Sequence, residues 1–271
     1  MLIEDFLYLL FQEYQQQKRE MPWRIPEANG SFDPYKILVS EIMLQQTQVE
    51  RTIPKYLVFI QRFPTVEKLA RAPISDVLDI WLGLGYNRRA VYLHEIAKNL
   101  QGNKFPQNSA ELASLKGIGN NTASAIVTYA FDQKEVFVET NIRTVLLDSF
   151  FPESDKVSDD VIKETLKDVL DVYHGSYREF YWAMMDYGAY LKKSGSKIHR
   201  KSSQYKVQSQ FRGSTRELRG RILRFAKQKE HLNTARQAIA DDRFDEVLMQ
   251  LVAEKLVEVR QSRIVFYGVR S

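Results

Sequence analysis

The chain has 271 residues, 44% apolar and 27% charged, with no cysteine and four histidines. That is a folded globular composition with room for two domains of about 100–200 residues. It excludes disulfides, a cysteine-held iron–sulfur cluster, a thiolate zinc site and a cysteine nucleophile, and four scattered histidines argue against a metal enzyme. The net charge of +5 is unevenly placed: residues 192–271 hold 19 Lys/Arg against 8 Asp/Glu, on a mildly acidic body. A basic end of this kind suits a polyanionic partner, nucleic acid first, and equally a solvated basic surface. No apolar run approaches the ~18 residues of a membrane span. The start, MLIEDFLYLLFQEY, carries acids where a signal peptide carries basic residues, which predicts a cytoplasmic protein without a membrane partner.

Leu2, Phe6, Leu9, Leu10 and Tyr14 form a stripe that predicts a helix over residues 2–18. Glycine and proline then cluster at 22–34. Asp33 as N-cap, with Pro34 at the first helical position, opens a second helix that runs to about residue 48. Further helices are predicted at about 53–62, 66–71, 75–82, 87–101 and 109–114, separated by Phe63-Pro64, Ala72-Pro73, Gly83 to Gly85 and Phe105-Pro106. Another follows Gly119 and ends near Phe131. The extended piece Val136-Phe137-Val138 precedes helices at about 141–149, 159–173 and 176–191. Residues 192–213 are rich in Lys, Arg, Ser and Gln and poor in aliphatics, the composition of a linker or an extended basic wrap. Helices at about 214–228, 232–239 and 243–254 and short strands at about 256–260 and 263–267 then give the pattern of a winged-helix module.

Three features point to chemistry. Leu115-Lys116-Gly117-Ile118-Gly119 joins two helical runs. Two glycines there let the backbone turn tightly and present N–H groups at a helix N-terminus, which is either a simple turn or a phosphate cradle. Glu41 is the only acid in the apolar run from Tyr35 to Gln46. A carboxylate on so apolar a helix is expected to be partly desolvated, as a general acid requires, or to be paired with a nearby Arg such as Arg24. Glu139 stands just before a helix start, where the helix dipole alone accounts for an acid and where a carboxylate also serves to stabilise a developing cation.

Taken together these pieces form a recognisable pattern. Residues 115–123 resemble the helix-hairpin-helix of the DNA glycosylase superfamily that includes endonuclease III. Pro22-Trp23-Arg24, Asp33-Pro34-Tyr35-Lys36, the run from Ser40 to Thr47, Arg62-Phe63-Pro64-Thr65 and the run from Trp81 to Tyr86 are similar to the branch that excises adenine from mismatches. The similarity covers about residues 20–190 in the same order. It implies an all-α, two-lobed helix-hairpin-helix glycosylase fold with the DNA cleft between lobes. One lobe is discontinuous, 1–25 with 132–191; the other is 26–131, with the hairpin at 110–131; the basic segment 192–213 and the small winged-helix-like module 214–271 follow.

The resemblance also implies roles. Glu41 matches the general acid, Glu139 the carboxylate that steadies the oxocarbenium-like sugar, and Asn141 a residue bonded into that carboxylate network. Gln46 and Tyr86 match side chains that wedge into the duplex, and Arg24 a residue lining the base pocket. Asn121 matches a position touching the active site. Lys116, Gly117, Ile118, Gly119 and Asn120 would hold a backbone phosphate, with a monovalent cation on the hairpin's carbonyls and no cofactor required. The target base must be extruded from the stack, and wedge side chains occupy the vacated space.

The chain departs from the pattern at four places. Asn121 stands where glycosylase/lyases carry a Schiff-base lysine, which predicts hydrolysis without lyase activity. Glu139 replaces the usual aspartate. The cluster cysteines are missing, and Lys192, Lys193, Arg200 and Lys201 are expected to supply phosphate contacts instead. The C-terminal domain that reads 8-oxoguanine is replaced by the winged-helix-like segment. The expected protein is a monomeric, monofunctional DNA N-glycosylase acting on double-stranded DNA with a mismatch or damaged base, adenine opposite guanine or 8-oxoguanine first. Thymine or uracil excision and a non-catalytic DNA sensor are the alternatives.

Overall fold

The computed structural model describes residues 1–203 and 210–269. The chain is helical, as the periodicity predicts, and the described residues include one two-stranded sheet. They divide into two compact units. The first comprises residues 1–37, 106–114 and 118–203, the second residues 38–105, 115–117 and 210–269.

The first unit holds α1 (Ile3–Gln17), the opening turn of α2 (Pro34–Leu44), α7 (Ser109–Ala113), α8 (Asn120–Phe131), α9 (Thr140–Phe150), α10 (Asp159–Val172) and α11 (Tyr177–Lys193). Asp33 caps α2 as expected: Tyr35 N donates to Asp33 Oδ1 at 2.8 Å. Ser158 and Ser176 cap α10 and α11 in the same way. Helix α11 is the spine. It packs on α1 and α9, and its Asp186, with a fully buried side chain, accepts from Arg19 Nε at 2.7 Å and from Arg24 Nη1 and Nη2 at 2.7 and 3.0 Å. A buried carboxylate needs such partners, because an unpaired charge there costs several kcal/mol.

The predicted extended piece 136–138 forms no strand. The hydroxyl of Tyr181, on α11, takes the place of a neighbouring strand: it accepts from Phe137 N at 3.4 Å and donates to Glu135 O at 2.7 Å, with the two rings stacked 4.0 Å apart. Burial holds the Tyr181 phenol well above its ordinary pKa, so it remains a donor.

The second unit holds the rest of α2, then α3 (Val49–Arg62), α4 (Val66–Arg71), α5 (Ile74–Trp81) and α6 (Arg88–Leu100), closing on Phe59, Phe63, Leu69 and Trp81. Its C-terminal part is α12 (Thr215–Lys227), α13 (Leu232–Ile239), α14 (Phe244–Ala253) and the hairpin β1 (Val257–Arg260) and β2 (Arg263–Phe266), in antiparallel register with Val257 opposite Phe266. Gln261 and Ser262 both take positive φ, the geometry of a two-residue hairpin turn that follows strand twist. His231 bridges Arg263 and adds a third, one-residue strand that completes the wing pattern.

The division differs from the expected lobes, and residues 26–37 and 106–114 fall with the first unit. Helix α8 falls with the first unit, because its end is bound to α11: Arg178 Nε donates to Tyr129 O at 2.6 Å, and Tyr129 stacks on Trp182. The winged-helix part falls with residues 38–105, tied by Arg88–Glu254 at 2.9 Å and Lys227–Asp79 at 2.8 Å. The first part of the basic segment is not a free linker. A short 3-10 turn at Ile198–Lys201 leads into Ser202, which pairs with Val157, and Val157 N donates to Lys201 O at 3.0 Å. Residues 204–209 of that segment lie outside the described residues.

Helices α9 and α11 approach closely because residue 188 is glycine: a Cβ there would lie 2.3 Å from Asn141 O. Gly188→Ala must push the helices apart, so thermal melting should show a loss of roughly 1–3 kcal/mol, the usual cost of overpacking. An unchanged melting temperature would show that the helices yield freely.

Candidate active site

In the first unit, α9 begins at Glu139, whose backbone is extended and whose side chain makes no cap hydrogen bond. Three groups fix this corner. Asn121, in the first turn of α8, donates from Nδ2 to Val138 O at 3.0 Å and so holds the residue before Glu139. Asn141 donates from Nδ2 to Met185 O at 3.3 Å. Lys192, near the end of α11, donates from Nζ to Asn141 Oδ1 at 2.6 Å.

Glu139 lies deep in protein mass while keeping a partly exposed surface. Burial pushes its carboxyl above the ordinary range, and the Lys192 ammonium draws it back. Burial likewise pushes Lys192 down, Glu139 holds it up, and Arg143 opposes that. Arg143 itself is bound by Asp159, Nη2 to Oδ1 at 3.0 Å. The arrangement is a desolvated carboxylate with one cation in electrostatic reach. It suits stabilisation of a positive charge that develops beside it, because charge interactions strengthen where water is excluded.

Lys192 was expected on a phosphate. The structure turns it inward, because it lies one helical turn beyond Gly188 on the face of α11 that meets α9. Lys193 and Arg200 are exposed; Lys201 donates from Nζ to Pro152 O. Arg24, expected in a base pocket, is a buried partner of Asp186 and lies over the Trp182 ring, 5.2 Å from its centroid. That pairing also assigns Arg24 a different carboxylate from Glu41, the partner considered from sequence.

In the second unit, Glu41 interrupts a buried stretch of α2: of residues 37–43 it alone is not buried. Helix α2 stops at Leu44, four residues short of the predicted end. Arg89 explains the stop. Its Nη1 donates to the carbonyls of Ile42, Met43 and Gln45 at 2.8, 3.0 and 2.6 Å, and its Nη2 to Gly85 O and Thr47 Oγ1 at 2.9 and 3.0 Å. One buried guanidinium thereby satisfies the open end of α2 and ties it to the loop before α6. Burial pushes Arg89 down to about 10, so it remains charged at neutral pH. On either side of this clamp, Gln46 and Tyr86 are held at φ 54° and 47°, a left-handed backbone that costs a non-glycine residue on the order of 1–3 kcal/mol.

The sequence reading missed Arg89. A signal existed: positions 89, 93, 96 and 100 share a helical face with the buried Leu93, Ile96 and Leu100, which marks Arg89 as inward-facing.

The hairpin turn follows its predicted logic at one glycine. Gly117 has φ +96°, and a Cβ there would lie 2.6 Å from the Tyr92 ring. Gly117 O accepts from Gln45 Nε2 at 3.4 Å, and Lys116 Nζ lies 5.2 Å from the Tyr92 ring centroid. Gly119 is different: its φ is ordinary and a Cβ would meet nothing within 4 Å. It is exposed at the head of α8 and gives no side-chain cap, and a helix N-terminus of this kind favours an anion. Ile118 is buried and Asn120 exposed.

Residues 39–170 match the HhH-GPD superfamily of base excision DNA repair proteins, and this stretch is a domain of that superfamily. Adenine DNA glycosylases are among the curated relatives. That of Buchnera aphidicola subsp. Baizongia pistaciae (strain Bp) is 35% identical over 178 residues, covering 64% of this chain and 49% of the relative. That of Mycobacterium tuberculosis (strain CDC 1551 / Oshkosh) is 35% identical over 181 residues, 65% of this chain and 58% of the relative. The chain thus spans about half the length of these relatives. A thermostable thymine-DNA glycosylase aligns with a TM-score of 0.58 at 24% identity, over 69% of this chain and 86% of its own, and shows the shared helix-hairpin-helix glycosylase fold. Among the described residues no group of His, Cys, Asp or Glu is placed to hold a metal ion, and no helix is long and apolar enough to cross a membrane.

The Lys192 ammonium lowers the pKa of Glu139. Lys192→Met should therefore raise that pKa and move the acidic limb of any Glu139-dependent rate to higher pH, while Lys192→Arg restores most of the wild-type profile. A pH–rate profile of the variants checks this; an unmoved limb would leave Lys192 a merely structural residue.

Proposed function

We propose that this chain is a monofunctional DNA N-glycosylase of base excision repair that releases adenine mispaired with guanine or 8-oxoguanine. The observation that carries the reading is the desolvated Glu139 carboxylate at the head of α9, drawn down by Lys192 beside a backbone that Asn121 ties at Val138 O, in a chain 35% identical over 178 and 181 residues to two adenine DNA glycosylases.

In this reaction Glu41 gives a proton to the departing adenine ring, and the bond from the sugar C1′ to the base breaks with its electron pair going to the base. The sugar becomes oxocarbenium-like, and Glu139 stabilises it as a carboxylate. Water adds to C1′ and its proton returns to Glu41, leaving an abasic site. Asn121 has no amine to form a Schiff base, so the strand stays intact. Asn141 and Lys192 are positioning residues for Glu139. Gln46 and Tyr86 wedge into the duplex, where a rigid, preset backbone limits the ordering cost of insertion.

Lys116, Gly117, Ile118, Gly119 and Asn120 hold a backbone phosphate. The hairpin's backbone oxygens are hard donors that fit a monovalent cation, which when bound adds positive charge beside that phosphate. Lys193 and Arg200 are phosphate contacts of the basic segment, and binding is correspondingly salt-dependent. The protein works as a monomer on chromosomal DNA in the cytoplasm.

The test is base release from labelled duplexes carrying A:G, A:8-oxoguanine, T:G or U:G, with hot alkali used to reveal abasic sites. Cleavage of adenine duplexes only after alkali is expected, and Glu41→Gln should lower it by about 10²-fold or more while duplex binding persists. Full activity of that variant would overturn the role given to Glu41. Release confined to T:G or U:G would move the substrate, and tight binding with no release would make the protein a sensor.

A further inference from the structure

Helix α12 and the end of α14 both reach the loop that carries Tyr86, and all three belong to the second unit. From α12, Arg216 Nη1 donates to the Tyr86 hydroxyl at 3.0 Å, with its guanidinium 5.9 Å from the Tyr86 ring centroid. Arg89 lies over the same ring at 5.6 Å and donates from Nε to Tyr86 O at 3.3 Å. At the head of α6, Arg88 pairs with Glu254 at 2.9 Å. Glu254 stands at the end of α14 and also accepts from Arg219 Nη1 of α12 at 3.2 Å. The winged-helix part therefore grips this loop at two points, the Tyr86 hydroxyl and the Arg88 guanidinium.

Burial does not ask for the first of these bonds. Tyr86 is 38% exposed, and water would satisfy its hydroxyl. What the bond adds is a fixed direction for a ring whose backbone is already set at φ 47°. The rest of the winged-helix part points the same way. In a helix-turn-helix the second helix of the motif enters the major groove. Here that helix is α14, which contains no Lys or Arg and opens on the exposed Asp245 and Glu246, a charge that repels phosphate. The arginines lie on α12 instead, and three of them are bonded to protein: Arg216 to Tyr86, Arg219 to Glu254, and Arg221 to the carbonyls of Ala238 and Ile239.

We propose that the winged-helix part is a brace for the Tyr86 loop, with Arg216 and Glu254 as positioning residues for the step in which Tyr86 enters the duplex. This rests on the wedge role given to Tyr86 above. Inserting a side chain costs less when its conformation is set beforehand, so the brace speeds opening of the base stack and not the bond cleavage that follows. The matched residues 39–170 include Tyr86 and neither positioning residue, so base extrusion in this chain depends on a part outside that domain.

Stopped-flow fluorescence of the full chain tests this on an A:G duplex with 2-aminopurine beside the target adenine, a probe that brightens as the stack opens. At saturating protein the opening rate is independent of duplex affinity. Arg216→Gln should slow opening about three- to tenfold, the worth of one hydrogen bond. Tyr86→Phe keeps the ring, loses the hydroxyl and should slow opening by a similar factor, and the double variant should be no slower than either alone. Arg216→Lys should recover part of the rate, and Glu254→Gln should reduce it. Arg260→Gln removes a guanidinium elsewhere on the wing and should leave the rate unchanged. An unchanged rate in folded Arg216→Gln, or slowing that multiplies in the double variant, overturns the proposal. Coupled slowing without adenine release from the same duplex keeps the brace and removes the glycosylase reading. Adenine release with opening indifferent to Arg216 does the reverse, and no opening by the wild type overturns both.

Discussion

A carboxylate buried in protein must find compensation or take up a proton, and that constraint organises the first unit around Glu139. Burial drives its pKa up and Lys192 opposes the shift. Lys192 reaches that corner only because α11 runs against α9, and α11 lies so close only because residue 188 has no side chain. The same helix carries Asp186, which fastens Arg19 and Arg24, and Tyr181, which completes the hydrogen bonding of the segment leading to Glu139. One helix therefore supplies the scaffold and the counter-charge, so the position and the ionisation of the carboxylate are set together.

The second unit solves a different problem. Two loops must hold non-glycine residues in a left-handed backbone, and Arg89 meets that cost with five hydrogen bonds from Nη1 and Nη2 that reach the end of α2 and both loops. A buried guanidinium suits the task because it stays charged and its donors are fixed in a plane. The consequence is that Gln46 and Tyr86 are presented by a rigid base, with Arg216 of α12 bonded to the Tyr86 hydroxyl.

Helix starts and stops were legible where local chemistry decides them: Asp33-Pro34 before α2 and the proline breaks between α3 and α6. The end of α2 was not, since it is set by an arginine more than 40 residues away. The lobes were read from the order of motifs, yet α8 is held by Arg178 of α11, a contact no local pattern reveals. Glu41, Glu139 and the Gly117 turn stood out from their neighbours in the sequence. Lys192 did not, because a lysine in a basic run resembles a phosphate contact until its helical face is known.

The central claim is that chemistry runs through Glu139 although the side chain is longer than an aspartate by one methylene. Single-turnover release of adenine from an A:G duplex, followed for the wild type, Glu139→Gln and Glu139→Asp, tests it directly. The account predicts loss of activity in Glu139→Gln, and a drop of about a hundredfold in Glu139→Asp, because a displacement near 1 Å costs about that much. Wild-type rates in both variants would contradict it and place the charge stabilisation on another group.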